Sequence, residues 1–234
     1  MITIQRAADR YSADYGWLKS SFSFSFADYY DPSNLQFGPM RVLNDDWIAS
    51  GEGFGMHPHR EMEIITIVLR GVLEHKDSLG NRAETTWGGI QRMSAGTGIT
   101  HSEYNTSETE PLELLQMWFL PGERGLNPSY ETTAFNTAGL TDKWVPVASS
   151  APVAGEVAEI HQDMTVYLSE PAAGKPITFA QTAGRKVFLM VLEGDIRING
   201  DTVLSRRDAA RIEEMPELTV ISDDGARIML IDLP

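Results

Sequence analysis

Short apolar runs at a period of two recur along the whole chain, separated by glycine, proline, aspartate and asparagine, and nothing sustains the period of an amphipathic helix. Ser21-Phe22-Ser23-Phe24-Ser25-Phe26 alternates strictly, which predicts three phenylalanines on one face of a strand and three serines on the other. Further strands are predicted over 41–44, 63–69, 72–75, 112–120, 186–192, 195–198, 218–221 and 227–233. Asn199-Gly200 fits a type I′ hairpin, whose two central residues need positive φ, and residues 77–81 read as a longer hairpin loop. So many short strands with frequent turns predict an all-β chain built as a sandwich or barrel.

A weak internal repeat divides the chain. Ile65-Thr66-Ile67-Val68-Leu69-Arg70-Gly71 matches Val187-Phe188-Leu189-Met190-Val191-Leu192-Glu193-Gly194 in character, down to the charged residue before the glycine. Each is followed by a hairpin and a closing apolar strand that ends in proline, at 114–121 and 228–234. Two copies of one antiparallel β-barrel unit account for this, expected over 1–135 and 136–234. Gly122 to Glu156 is the expected joining region, with the low-propensity stretch Ala148-Ser149-Ser150-Ala151-Pro152 as an exposed connection.

Composition narrows the chemistry. The 234 residues include no cysteine, which excludes disulfides, thiolate zinc sites and iron–sulfur clusters. Nineteen basic against 33 acidic residues give a net charge of −14, which repels phosphate backbones, so neither direct nucleic-acid binding nor polybasic membrane binding is expected. The first residues are charged, without a secretory apolar stretch, and no run is long enough for a membrane helix. A cytoplasmic address is the default expectation.

Three of the five histidines fall in two short motifs, His57-Pro58-His59 and His101-Ser102-Glu103. Residues two apart in an extended chain share a face, so each motif sends two ligand-type side chains the same way. Brought together across a barrel, His57, His59, His101 and Glu103 supply three imidazole nitrogens and a carboxylate for one divalent transition metal. Fe(II) is the leading expectation, with Zn, Ni, Co, Mn or Cu as alternatives. Gly51, Gly53 and Gly55 before the first motif, and Gly96 and Gly98 before the second, permit tight turns into a barrel mouth. Phe22, Phe24 and Phe26 are candidates for a flat aromatic substrate's pocket, though core wall is the favoured expectation. His75 is expected to make an ordinary hydrogen bond. His161, with Asp163 beside it, offers no second site of the same kind. Glu110, Glu113, Asp45 and Asp46 read as solvated charge.

Gly51, five residues, His57-x-His59, three residues and Glu63 match the first cupin motif; Gly98, two residues, His101, three residues and Asn105 match the end of the second. The spacing from Glu63 to Gly71 is one residue longer than usual, and Ala95-Gly96 stands where a proline is customary. Residues 23–32, 41–46, 57–64 and 93–103 together resemble the pirin family, specifically its bacterial quercetinase-like members, over essentially the whole chain. The resemblance implies a bicupin of two antiparallel jelly-roll barrels, with the metal in the N-terminal one on His57, His59, His101 and Glu103. Many cupins use the glutamate at Glu63 instead; the resemblance and the shared face with His101 both favour Glu103, leaving Glu63 a supporting carboxylate. The resemblance also implies quercetin 2,3-dioxygenase activity, with a flavonol and O2 as substrates and Glu103 as candidate base. The alternative is a metal-binding regulatory protein acting through protein partners.

Overall fold

The computed structural model describes residues 1–234, which form twenty-two strands and two single-turn 3-10 helices. The chain folds as two compact units. The N-terminal unit comprises Tyr11–Phe135 and Ser150–Gln162; the C-terminal unit comprises Met1–Arg10, Asn136–Ser149 and Asp163–Pro234. The two halves thus exchange short segments across the sequence division at residue 135.

The first strand, β1 (Ile2–Gln5), belongs to the C-terminal unit. The N-terminal unit follows with β2 (Tyr11–Asp14), β3 (Leu18–Phe22), β4 (Met40–Ile48), β5 (Gly53–His59), β6 (Glu63–Arg70) and β7 (Leu73–Asp77). It continues through β8 (Arg82–Thr85), β9 (Gly89–Ser94), β10 (Ile99–Asn105), β11 (Leu112–Phe119) and β12 (Ser129–Ala134). These strands make a seven-stranded sheet in the order β12-β9-β6-β11-β4-β3-β2 and a four-stranded sheet β5-β10-β7-β8, with antiparallel pairing throughout. The jelly roll is therefore two sheets rather than one continuously closed barrel.

Apolar side chains gather in two clusters of this unit. Leu18, Ile48, Val68, Leu73, Leu112 and Leu114 form one; Ile64, Met93, Ala95 and Ile99, with Trp118 and Tyr130 against them, form the other. On the shared face of β11, Gln116 stands between Leu114 of the first cluster and Trp118 of the second. A polar belt between two apolar clusters is what positions the site.

In the C-terminal unit come β13 (Val145–Ser149), then, within the N-terminal unit, β14 (Ala158–Glu159). The C-terminal unit resumes with β15 (Thr165–Ser169), β16 (Ile177–Ala180), β17 (Lys186–Gly194), β18 (Ile196–Ile198), β19 (Thr202–Leu204), β20 (Ala209–Glu213), β21 (Glu217–Ile221) and β22 (Ala226–Leu233). Its larger sheet runs β1-β20-β17-β22-β15-β13 and its smaller one β16-β21-β18-β19. An apolar cluster of this unit includes Val187, Leu189, Ile212, Leu218 and Leu230.

The repeat is visible in these sheets. The matched segments are β6 and β17, each paired on both sides in the larger sheet of its unit, by β9 and β11 and by β20 and β22. Gly71 and Gly194 both close their strands at positive φ. Asn199 and Gly200 are likewise both at positive φ, at 49° and 89°, as a type I′ turn requires.

Two local expectations change. Phe22 ends β3 and the chain leaves the ladder, so the predicted division of 21–26 into an aromatic and a serine face does not hold: Ser23 and Phe24 are both buried. Ala148 is not part of an exposed connection but a buried residue of β13, because neighbouring strands supply the burial that its composition does not advertise. Exposure begins at Ser150.

Candidate metal centre

Antiparallel pairing of β10 with β5 on one side and β7 on the other builds the site. His101 lies opposite His57 on β5 and opposite Asp77 on β7, and Glu103 lies opposite His75. The ladder with β5 shifts between His101 and Glu103, so that Glu103 faces Phe54. This irregularity depends on Gly53: a Cβ there would sit 2.2 Å from the Glu103 carbonyl oxygen and 2.6 Å from the Tyr104 Cα. Only glycine lets β5 come that close. Gly96, at φ +44°, plays the same part in the turn before β10, where a Cβ would meet the Leu126 carbonyl at 2.1 Å.

The imidazoles of His57, His59 and His101 converge. Their ring centroids are 4.4 Å apart for His57 and His101, and 4.8 Å apart for His59 with either of the others. One nitrogen from each lies within 4.8 Å of the other two. Nε2 of His59 and Nε2 of His101 are buried without any hydrogen-bond partner. Burial, followed by the nearby His57, pushes the His59 ring down to about 4, and the same causes drive His101 down further. Both rings are therefore neutral at physiological pH, with lone pairs available.

Hydrogen bonds set which nitrogen carries each proton. Nδ1 of His57 is 2.7 Å from the Gly55 carbonyl, which can only accept, so Nδ1 is the protonated nitrogen and Nε2 holds the lone pair. A longer chain does the same for His101. The Asp77 carboxylate accepts from Nε2 of His75 at 3.1 Å, and Nδ1 of His75 is 3.3 Å from Nδ1 of His101. With the His75 proton on Nε2, its Nδ1 accepts from His101, whose Nε2 lone pair then faces His57 and His59. Burial alone would raise Asp77, but donors from Asn81, His75 and Leu79 hold it below its ordinary range, which keeps the end of this chain anionic. His75 is fully buried and stacks on Tyr130 with centroids 3.9 Å apart.

His75 makes the hydrogen bonds expected of it, and it does more: His75, His101 and Glu103 also bring ligand atoms within 4.8 Å of one another. A signal for it existed. His75-Lys76-Asp77 repeats the His-x-acid spacing of His101-Ser102-Glu103 on the adjacent strand.

Glu103 does not fall in the three-histidine group; its carboxylate is held beside it by two amides. Nε2 of Gln91 donates to Oε1 at 2.5 Å and Nε2 of Gln116 to Oε2 at 2.7 Å. The amide orientations are forced from behind, because the Trp118 indole N–H donates to Oε1 of Gln116 and the Tyr130 hydroxyl to Oε1 of Gln91. Each carboxylate oxygen keeps a further lone pair free. Glu63 stands apart from this cluster, fully buried, where Oε2 accepts from the Ser94 hydroxyl at 2.8 Å and from the backbone N–H of His161 at 3.0 Å. Asp163 pairs with Arg185 at 2.9 Å.

Beside the histidines lies a cavity of about 270 Å³, walled by Phe22, Phe26, Phe54 and Trp118. Phe22 and Phe26 therefore face it, while Phe24 packs in the core. Its polar lining includes Asn44 and Asp46 from β4. Asp46 is not solvated charge: it is buried, accepts from the Ser20 hydroxyl, and is pushed up to about 7 by burial, which outweighs that bond and is reinforced by Asp45 and Glu103. Glu110, in contrast, is an exposed partner of Arg70.

The donor set suits a divalent transition metal: neutral imidazoles, two of them with buried unpartnered nitrogens, next to an oriented carboxylate. Comparison with known proteins bears on the family. Residues 4–119 match the family model described as Pirin, and residues 147–233 match that of the quercetinase C-terminal cupin domain. The chain is 41% identical over 235 residues to a protein named quercetin 2,3-dioxygenase from Escherichia coli K12, covering all of this chain and 99% of that one. A pirin-like protein of Caulobacter vibrioides is 40% identical over 220 residues, 94% of each chain. Among solved structures, that of the bacterial pirin YhhW from Escherichia coli in complex with nickel(II) superposes with a TM-score of 0.94 at 41% identity, covering 100% of this chain and 99% of that one.

Proposed function

The chain belongs to the pirin family, and from that premise we propose that it is a metal-dependent oxidoreductase of the quercetin 2,3-dioxygenase kind, opening a flavonol ring with O2 and releasing carbon monoxide. The observation that carries this reading is the convergence of His57, His59 and His101 beside Glu103 at the edge of an aromatic-walled cavity. In this reading those four residues hold one divalent metal. The nickel(II) complex of the similar Escherichia coli pirin supports such a site without choosing the native ion; Fe(II), Zn, Co, Mn and Cu fit the same donors.

A metal held by those residues would supply positive charge to stabilise an anionic oxygen on the substrate. The chain's own residues supply the rest. Phe22, Phe26, Phe54 and Trp118 exclude water and hold a flat ring. In this reading Glu103, whose carboxylate is fixed by Gln91 and Gln116, takes the proton of the flavonol 3-hydroxyl. The Asp77–His75 pair holds the His101 ring and tautomer throughout.

Elemental analysis of protein purified without added metal, followed by quercetin turnover in aerobic and anaerobic buffer after reconstitution, tests the reading. One metal per chain and O2-dependent loss of quercetin are expected. Glu103→Gln is expected to lower turnover by about 100-fold or more even where metal is retained. Full turnover in that variant would remove Glu103 as the base, and no O2 consumption with any metal would leave the chain as a metal-binding protein, as in a regulatory pirin.

A further inference from the structure

The cavity has a polar feature that the metal reading leaves unused. Three neighbouring strands of the seven-stranded sheet face it with alternate residues: Ser20 and Phe22 of β3, Asn44 and Asp46 of β4, Gln116 and Trp118 of β11. Ser20 lies opposite Asp46, and Phe22 and Gln116 flank Asn44. Gln116 is committed to Glu103, and Ser20 to Asp46. Asn44 is different. Its Oδ1 is buried, with no hydrogen-bond partner, in a side chain only 5% exposed that lines the cavity. Burying an acceptor without a donor is unfavourable, and an apolar residue of the same shape would avoid the cost. An unpartnered acceptor in a side chain that lines a cavity points to a ligand that brings the donor.

We infer that Asn44 and Asp46 form a hydroxyl-recognition subsite, binding phenolic O–H groups of the aromatic ligand from the β4 wall while the four-stranded sheet presents the histidines. This rests on the reading of the cavity as the substrate pocket. The chemistry is specific. Asn44 Oδ1 can only accept, and the Asp46 carboxyl, raised to about 7, accepts when ionised and can also donate when it holds its proton, so a ring bearing free hydroxyls is favoured over an unsubstituted ring. The aromatic walls provide affinity without regard to substituents; the two polar side chains select among them.

Binding to the full-length, metal-free protein tests this independently of turnover, followed by quenching of tryptophan fluorescence. The probes are quercetin, with hydroxyls on both ring systems, and 3-hydroxyflavone, which keeps only the 3-hydroxyl. Wild-type protein is expected to bind quercetin about tenfold or more tightly than 3-hydroxyflavone. In Asn44→Leu that ratio is expected to fall towards one, with 3-hydroxyflavone affinity unchanged within about twofold and no loss of thermal stability. A merely structural Asn44 would instead lower stability and weaken both ligands alike. Asp46→Asn, which keeps the Ser20 partner and the side-chain volume, is expected to reduce the ratio in the same direction and carries the test if the leucine variant misfolds. An unchanged ratio in both variants, equal binding of the two probes by wild type, or no binding of either would overturn the inference. Discriminating binding by protein that consumes no O2 with any metal would remove the dioxygenase reading and leave the subsite standing.

Discussion

At His75 a single ring links a buried carboxylate to the His101 imidazole, and the direction of every proton follows from Asp77 being able only to accept. His75→Phe keeps the stack on Tyr130 but frees the His101 ring. Metal affinity, measured by competition with a chromogenic chelator, is expected to drop by about 10- to 100-fold, the usual consequence of removing a partner behind a metal ligand. Asp46 supplies a prediction of opposite character. Its carboxyl is raised to about 7 from 3.8, so the folded state holds a proton that the unfolded state releases, and stability contributed by this group falls as pH rises from about 4 to 7. The depressed His59 acts the other way, its contribution being present above 6.5 and lost as pH falls towards 4. Asp46→Asn should therefore remove the first slope and leave the second. Denaturant unfolding of metal-free protein at pH 8 is expected to show the variant more stable than wild type, by up to about 4 kcal/mol. The two histidine motifs were legible as candidate ligands because spacing alone puts each pair on one face. Asp46 was not, because nothing local separates a buried aspartate from its neighbour Asp45.

At the scale of elements, the site exists because β5 is drawn against β10 at an irregular point of the ladder. Gly53 is the residue that permits it, and Gly55, two positions on, has no comparable constraint: a Cβ there meets nothing nearer than the Tyr104 hydroxyl at 3.8 Å. Gly53→Ala must push β5 away from the Glu103 backbone, and is expected to cost about 1–3 kcal/mol and to weaken metal binding. Gly55→Ala is expected to do neither, which chemical denaturation and metal titration of the pair would establish. The glycines before the histidines were visible in sequence, but their inequality was not; it depends on which carbonyl of another strand lies beneath each one. The same holds for the aromatic run. Period two foretold burial of Phe22, Phe24 and Phe26, whereas the departure from the ladder after Phe22 decides that the first and last face the cavity and the middle one the core.

Over the whole chain, the N-terminal unit is completed by a segment distant in sequence. Glu63, at the start of β6, accepts from the backbone N–H of His161, and the Gly122 N–H donates to the His161 carbonyl at 2.7 Å. Glu63→Leu removes the buried acceptor without opening a cavity. Hydrogen exchange at the His161 amide is expected to accelerate, and global stability to fall by about 1–3 kcal/mol. The all-β class, the duplication and the ligand-type residues were readable from the sequence alone, since alternation, turn chemistry and His-x-His spacing are local consequences of backbone geometry. Tertiary structure alone decided the membership of residues 150–162 in the N-terminal unit, the recruitment of His75 and Asp77 behind His101, the clamp of Gln91 and Gln116 on Glu103, and the burial of Asn44 and Asp46 in the cavity wall. The physical reason is common to all four: each depends on which strands lie side by side and on the facing sheet, and strand order is a property of long-range pairing that no short stretch of sequence encodes.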